Sequence, residues 1–547
     1  MNNKFILLIA IFVILQTFQT KAQDFYWVSF TDKNNSEFSL SSPEEYLSER
    51  AIQRRAKQNI STDSLDLPVN SNYIDSVLSI GAELIHSSKW LNGITVKTEN
   101  NNFENKVLEL SFVKEVQLTK PTNNTKSAFN KFDETNDAVK FPIDNTLYGP
   151  SVYQTELMNG HFLHNQGYNG EGMQIAILDA GFYKADEYAA FDSLWTNNQI
   201  LGIRDFVNPT SNIFDEHSHG MSVLSCIGGN VPGSLIGTAR KASFWLLRSE
   251  DGSSEYIIEE DNWVAAAEFA DSVGVDIINS SLGYYEFDDP TTDHTYADMD
   301  GKTTRVTQGA NIAASRGILV FASAGNEGNK AWRHIIAPSD GDRVIGVGAV
   351  DKNGVAASFT SHGPAADGDV KPNIAGVGRN TYLQLSNGEL GHASGTSFSS
   401  PVMAGMAASL WESVPNATAE DVKFTMEISA TLINNPDTLL GYGIPDFQKA
   451  WLYLVNLNVS NQFTENKWFI YPNPVNDFLV IQKNGVVNSD KIVIEIYTLE
   501  GRLIQNWIKP NSPKIILSDI GWLPQGMFLL KIGSDKKYQT IKLNKIR

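Results

Sequence analysis

The chain has 547 residues, 42% hydrophobic and 19% charged, which is too long for one ordinary domain and too apolar for a disordered chain. Acidic residues outnumber basic ones, 62 to 43, giving a net charge of -19 and no basic surplus for a general nucleic-acid role. The single cysteine, Cys226, excludes an intramolecular disulfide and any cysteine-bound zinc or iron-sulfur cluster, so large cores must supply the stability.

Residues 1–22 read as an export signal: a short basic start at Lys4, an apolar run over 5–15 too short for a good membrane span, and small residues before a cut at Gln23. Residues 23–122 form a small α+β region. Strands are expected at 24–30, 90–96 and 113–118, and helices at 42–57 and 73–84, the first starting near Ser41 and Ser42. The stretch 123–144 has the Asn-, Thr-, Lys- and Asp-rich composition of a linker.

Residues 145–455 alternate strands and helices. Near-continuous apolar runs at 173–178, 275–279, 318–322 and 344–350 read as buried parallel strands, with helices at 263–273 and 307–315 feeding two of them. The fold class is α/β, a doubly wound, mostly parallel sheet, whose sites lie at the carboxyl ends of the strands. A second linker is expected at 456–467. Short alternating segments at 475–482, 491–498, 502–507 and 526–532 give residues 468–547 a β-sandwich pattern, ending in a basic stretch.

The middle region carries the chemistry. Asp179 closes its strand, and His219-Gly220 opens a small-residue apolar run that reads as a buried helix. Ser397 lies in Gly395-Thr396-Ser397-Phe398-Ser399-Ser400-Pro401, at the start of a helix over 397–410 with Pro401 in its first turn. Gly395 lets the backbone approach a substrate, and N–H groups at a helix start suit a developing oxyanion. His217 reads as a rim histidine, with a paired metal site as the alternative. Cys226 reads as a small buried hydrophobe on the face of His219.

The order Asp179, His219, Ser397 on an α/β sheet resembles the subtilisin-like serine proteases. Separate blocks carry the resemblance across 145–450: Asp179-Ala180-Gly181, His217-Ser218-His219-Gly220, Asn279-Ser280-Ser281-Leu282-Gly283, the 322–328 segment bearing Asn326, and 395–401. The resemblance implies Ser397 as nucleophile, His219 as general base, Asp179 as its orienting partner and Asn326 as oxyanion donor. Substrate would lie between Ser281, Leu282, Gly283 and Ala324, Gly325. Met221, Ala180 and Phe398 depart from the family's usual neighbours.

The chemistry implied needs no cofactor; structural calcium is compatible with the family, its ligands unknown. The acidic stretch 284–302 reads as a solvated insertion, with a preference for basic substrates or calcium binding as alternatives. Residues 23–122 resemble the family's inhibitory propeptides. The tail, through Tyr471-Pro472-Asn473-Pro474, the segment 493–501 and Leu523-Pro524-Gln525-Gly526-Met527-Phe528, resembles a type IX secretion sorting domain.

Together these imply an endopeptidase secreted or surface-attached through the periplasm of a Gram-negative gliding-type bacterium. Its partners would be protein or peptide substrates, its own propeptide and the secretion machinery, with no nucleic acid and no membrane span after signal removal. The alternative is an inactive surface adhesin or scaffold on the same fold.

Overall fold

The computed structural model describes residues 23–122, 131–132, 147–461 and, in the C-terminal part, 468–471, 473–475, 478–483, 491–510, 512, 514–518, 520–534 and 537–546. The export signal expected at 1–22, most of the linker expected at 123–144, and residues 462–467 of the second linker lie outside them.

The N-terminal region holds strands β1 (Asp24–Phe30), β2 (Ala82–Ser88), β3 (Gly93–Thr98) and β4 (Val113–Lys120) in one antiparallel sheet, ordered β2-β3-β1-β4. Its main helices are α1 (Glu49–Lys57) and α2 (Ser71–Leu78). Helix α1 begins later than expected, because Ser48 is the cap: its side chain accepts the Ala51 N–H. The helix expected at 73–84 stops at Leu78. Gly81 follows with φ 99, a conformation that ends the helix and turns the chain into β2.

The middle region is built on a seven-stranded parallel sheet. In chain order its strands are β5 (Gln174–Asp179), β6 (Ile200–Asp205), β7 (Ser243–Arg248), β8 (Ile277–Ser280), β9 (Leu319–Ser323), β10 (Ile345–Val350) and β11 (Ile374–Val377). They pair in the order β11-β10-β9-β8-β5-β7-β6. Side chains alternate across the sheet, and both faces are covered, so the strands read as unbroken apolar runs. In β5, Ile175 and Ile177 enter one core with helices α3 (His219–Gly228) and α6 (Thr396–Ser413). Ala176 and Leu178 enter the other, with helices α4 (Ile258–Val273) and α5 (Arg305–Ser315). Burying each large apolar side chain contributes about 1.5–3 kcal/mol. Helix α7 (Phe447–Asn461) runs past residue 455, where a linker was expected.

The N-terminal sheet packs on α4 through charged and polar contacts. Thr95 donates to Asp261 at 3.0 Å, and the Lys89 and Trp90 N–H groups donate to Glu268 at 2.9 and 3.0 Å. Asp271 sits between Arg54 and Arg55, at 2.6 Å from each, with Lys89 at 3.3 Å. Burial raises its carboxyl, but Lys89, Arg54 and Arg55 overcome that and hold it well below the usual aspartate range. Stabilisation from a depressed carboxyl is complete above the ordinary aspartate range and is lost as pH falls toward the folded value. Asp271→Ala leaves the buried Arg54 guanidinium without its carboxylate, while Arg55 keeps Asp66 at 2.8 Å, so it is expected to weaken the contact by about 3–5 kcal/mol. Urea unfolding of the unprocessed chain would show the loss; an unchanged midpoint would exclude it.

The tail folds as two antiparallel sheets around one core. Three strands, Trp468–Tyr471, Leu479–Lys483 and Lys514–Leu517, face four, Lys491–Tyr497, Leu503–Pro510, Gly526–Ser534 and Lys537–Lys545. The strands at 468–471, 514–517 and 537–545 had not been expected. Among the described residues, no helix is long and apolar enough to cross a membrane.

Candidate active site

Asp179 ends β5 and is fully buried. Its Oδ1 accepts the Ala180 N–H at 2.8 Å and meets His219 Nδ1 at 2.8 Å. A carboxylate can only accept, so this contact places the proton on Nδ1 and leaves a lone pair on Nε2. His219 opens α3, and glycines let the two residues meet. A Cβ on Gly220 would lie 2.5 Å from the Gly181 carbonyl and 2.7 Å from Asp179 Cβ. Gly181 has φ 152, and a Cβ there would lie 2.5 Å from the His217 nitrogen. His217 does more than line a rim: its Nδ1 accepts the His219 N–H at 3.2 Å, satisfying a donor at the start of α3. Burial and the His219 imidazole push its own titration down to about 4.

Ser397 is the second residue of α6, which begins at Thr396. Pro401 is therefore beyond the first turn, not within it as expected. Its place has a consequence: a proline cannot donate back to the carbonyl four residues earlier, here that of Ser397. That carbonyl instead accepts Ser281 Oγ at 2.7 Å. Asn279 Nδ2 donates to Ser281 Oγ at 3.1 Å, and Ser400 donates to Asn279 Oδ1 at 2.9 Å, so the end of β8 is tied to α6. Ser397 Oγ makes a long contact, 3.4 Å, to the Ser281 carbonyl.

Asn326 follows the end of β9. Its Oδ1 accepts the Thr396 N–H at 2.8 Å and the Thr396 hydroxyl at 2.9 Å. These bonds turn Nδ2 toward Gly395, where an added Cβ would lie 3.6 Å from it. One cleft is lined by His219, Ser281, Leu282, Gly283, Gly325, Asn326 and Ser397. Ala324 is not on it: this residue is fully buried against Ile335 and Ala365. Gly325, with φ 106, lines the cleft at this point.

The subtilase family pattern matches residues 154–443, more than half of the chain. The chain belongs to the subtilase family. A Bacteroidota peptidase S8 propeptide domain matches 25–134, and a secretion system C-terminal sorting domain matches 469–545. Subtilisin E of Bacillus subtilis (strain 168) is 31% identical over 310 residues, covering 55% of this chain and 72% of that protein. Subtilisin of Bacillus pumilus is 30% identical over 294 residues, covering 53% and 94%. The serine protease AprX of Bacillus subtilis (strain 168) is 29% identical over 289 residues, covering 48% and 61%.

This subtilase is a serine-type endopeptidase, and the family needs no cofactor for catalysis. Its unusual neighbours all lie in or beside the core. Met221 and Phe398 are fully buried, the latter ring 6.0 Å from that of His219. Ala180 offers an N–H but no hydroxyl, and Asp179 Oδ2 has no hydrogen-bond partner among the described residues. Cys226 is buried in the same core, its Sγ 3.5 Å from the Ser222 carbonyl.

Two further residues of the subtilase lie in the cleft, Lys131 and Phe132. The Phe132 ring stacks on His217 at 4.5 Å and lies 4.4 Å from the ring of His219. The Lys131 ammonium pairs with Glu250, Glu259 and, at 2.7 Å, Glu255. No motif in the linear sequence singles out these three glutamates. Two of them, Glu255 and Glu259, are four apart at the entry to α4, which is the signal that could have drawn notice. Ligand atoms of the three lie within 4.8 Å of one another, but the Lys131 ammonium occupies the place a calcium ion would need.

The acidic insertion at 284–302 is otherwise engaged. Asp288 accepts the Glu255 N–H, Asp293 that of Phe287, Asp289 that of Thr291, Asp298 that of Thr295, and Asp300 those of Lys302 and Thr303.

Proposed function

We propose that this subtilase is an exported endopeptidase in which Asp179, His219, Ser397 and Asn326 form one catalytic unit. The observation that carries this is the buried Asp179–His219 bond of 2.8 Å at the mouth of a cleft that Ser397 and Asn326 also line. Ser397 Oγ attacks the scissile carbonyl while His219 Nε2 takes its proton. Nδ1 keeps its own proton, held by Asp179, and the imidazolium that forms is stabilised by that carboxylate. The oxyanion receives hydrogen bonds from Asn326 Nδ2 and the Ser397 N–H. His219 then protonates the departing amine. Water hydrolyses the acyl-enzyme by the same steps in reverse roles and restores the Ser397 hydroxyl.

An extended peptide would bind along Ser281, Leu282 and Gly283 on one side and Gly325 on the other, as an added strand. The residues up to about 122 act as a propeptide, 145–455 as the catalytic domain and 468–547 as the sorting domain. With the signal at 1–22, the sorting-domain match supports export through the periplasm and type IX passage to the outside or the cell surface.

The test is hydrolysis of denatured casein by the matured protein, alongside a serine-directed fluorophosphonate label. Both signals are expected in the wild type and absent in Ser397→Ala. A folded, matured wild type showing neither would refute the proposal. Asn326→Ala removes a donor that engages only the developing oxyanion. It is expected to lower kcat about 100- to 1,000-fold with little change in KM. Steady-state kinetics on one quenched peptide would separate the two constants, and an effect confined to KM would count against the assignment.

A further inference from the structure

We propose that Glu250, Glu255 and Glu259 form a specificity pocket for a basic side chain upstream of the scissile bond, and that Lys131 of the same chain fills it before maturation. The inference rests on the protease reading above and names the substrate feature that site selects.

The carboxylates come from two places, Glu250 just after β7 and Glu255 and Glu259 at the entry to α4. Glu250 and Glu259 side chains are each 1% exposed, and that of Glu255 is 11% exposed. Three carboxylates so deep in a protein demand a cation. The structure supplies it from a residue more than a hundred positions away in sequence: the Lys131 side chain is 10% exposed, with its ammonium among all three. Lys131 lines the same cleft as Ser281, Leu282 and Gly283. Tyr284 braces the pocket from behind by donating to Glu250 at 2.7 Å.

Capacity remains beyond this one pairing. Glu259 Oε1 and Glu255 Oε1 are buried without a hydrogen-bond partner among the described residues. Burial pushes Glu255 up to about 8 and Glu259 up to about 7 although Lys131 pulls both down. Carboxyl groups in a pocket emptied of Lys131 would therefore ionise reluctantly, and a substrate ammonium or guanidinium would stabilise their charged form. An apolar side chain there would seal them in without a partner, and an acidic one would add repulsion.

The neighbour of Lys131 sets the direction of binding. Phe132 follows it and lies against His219, so Lys131 sits on the N-terminal side of the residue at the catalytic histidine. The propeptide match extends to residue 134 and thus includes both residues. The segment accordingly presents a lysine to the cleft in the manner of a substrate.

The experiment uses the matured protein and internally quenched peptides in which a Lys-Phe pair is stepped through the four positions before the cleaved bond. Each has a Leu-Phe and a Glu-Phe counterpart. In one register, kcat/KM for the lysine peptide is expected to exceed that for leucine by about 100-fold, and that for glutamate by more. The Glu255→Gln, Glu259→Gln double variant should bring the lysine-to-leucine ratio to within about tenfold. Glu255→Lys should shift preference toward the glutamate peptide, an inversion that simple damage to the fold would not produce.

Equal rates for the three peptides in every register, with Ser397 still labelled by fluorophosphonate, would overturn this inference alone. So would a lysine preference that survives the double variant, or tight calcium binding at these glutamates in matured protein that shows no lysine preference. Loss of both hydrolysis and labelling in the wild type would overturn it together with the protease reading.

Discussion

Ser397→Ala is expected to lower kcat roughly a million-fold, and His219→Ala by about as much, the scale found when a subtilisin loses these groups. The reason lies in the single proton that must leave Oγ during attack. Without Nε2 to take it, the serine hydroxyl is a poor nucleophile; without Oγ, the base has nothing to activate. The two groups act as one unit, so the double variant should be no worse than either single variant. What remains, roughly 1,000- to 10,000-fold over water, would come from the Asn326 side chain, the Ser397 N–H and substrate binding. The measurement is kcat for a quenched peptide, normalised to folded protein by far-UV dichroism. Losses that multiply in the double variant would mean that Ser397 and His219 act independently, and the proposed mechanism would fall.

The legible parts of this molecule are those in which local sequence and long-range structure agree. The run 173–178 could be read as a buried strand because both faces of the sheet are covered, so every position from Ile175 to Leu178 is apolar. Asp179 drew attention as a charge at the end of that run. His219 and Ser397 stood out because each opens a small-residue helix that has to pack close to the sheet. Where local pattern and tertiary need diverge, the pattern misleads. The segment 73–84 has helical spacing throughout, yet Gly81 divides it between α2 and β2. Pro401 suggested a helix start, whereas its missing N–H frees the Ser397 carbonyl for Ser281.

The acidic pocket illustrates the limit of a linear reading. The five aspartates in 284–302 read as a solvated insertion, with a basic preference as one alternative; they accept backbone N–H groups, mostly from neighbouring residues and, for Asp288, from Glu255. The glutamates that do converge lie outside that stretch, and their partner is Lys131, in a segment whose composition suggested only a linker. No periodicity reports such a meeting, since it depends on how the chain returns across the sheet.

Asp179→Ala is expected to reduce kcat by roughly 10,000-fold, less than loss of Ser397 because the nucleophile and base survive. It removes both the anchor for Nδ1–H and the charge that stabilises the imidazolium. Asp179→Asn tests which of these matters more here. In the productive orientation the amide oxygen takes the place of Oδ1, accepting from Ala180 N–H and His219 Nδ1 as the carboxylate does at 2.8 Å each. The NH2 group then takes the place of Oδ2, which has no partner among the described residues, at a cost of about 1–3 kcal/mol. In the flipped orientation the NH2 group faces the Ala180 N–H, donor against donor, and drives His219 into the wrong tautomer. The opposed donors disfavour the flip, so the asparagine variant should keep the tautomer and lose only the charge. Its kcat is expected to stand about tenfold or more above that of the alanine variant, with a lower midpoint of thermal unfolding than wild type. Equal kcat values for the two variants would show that the amide has flipped and that the Ala180 N–H does not control the orientation of this residue.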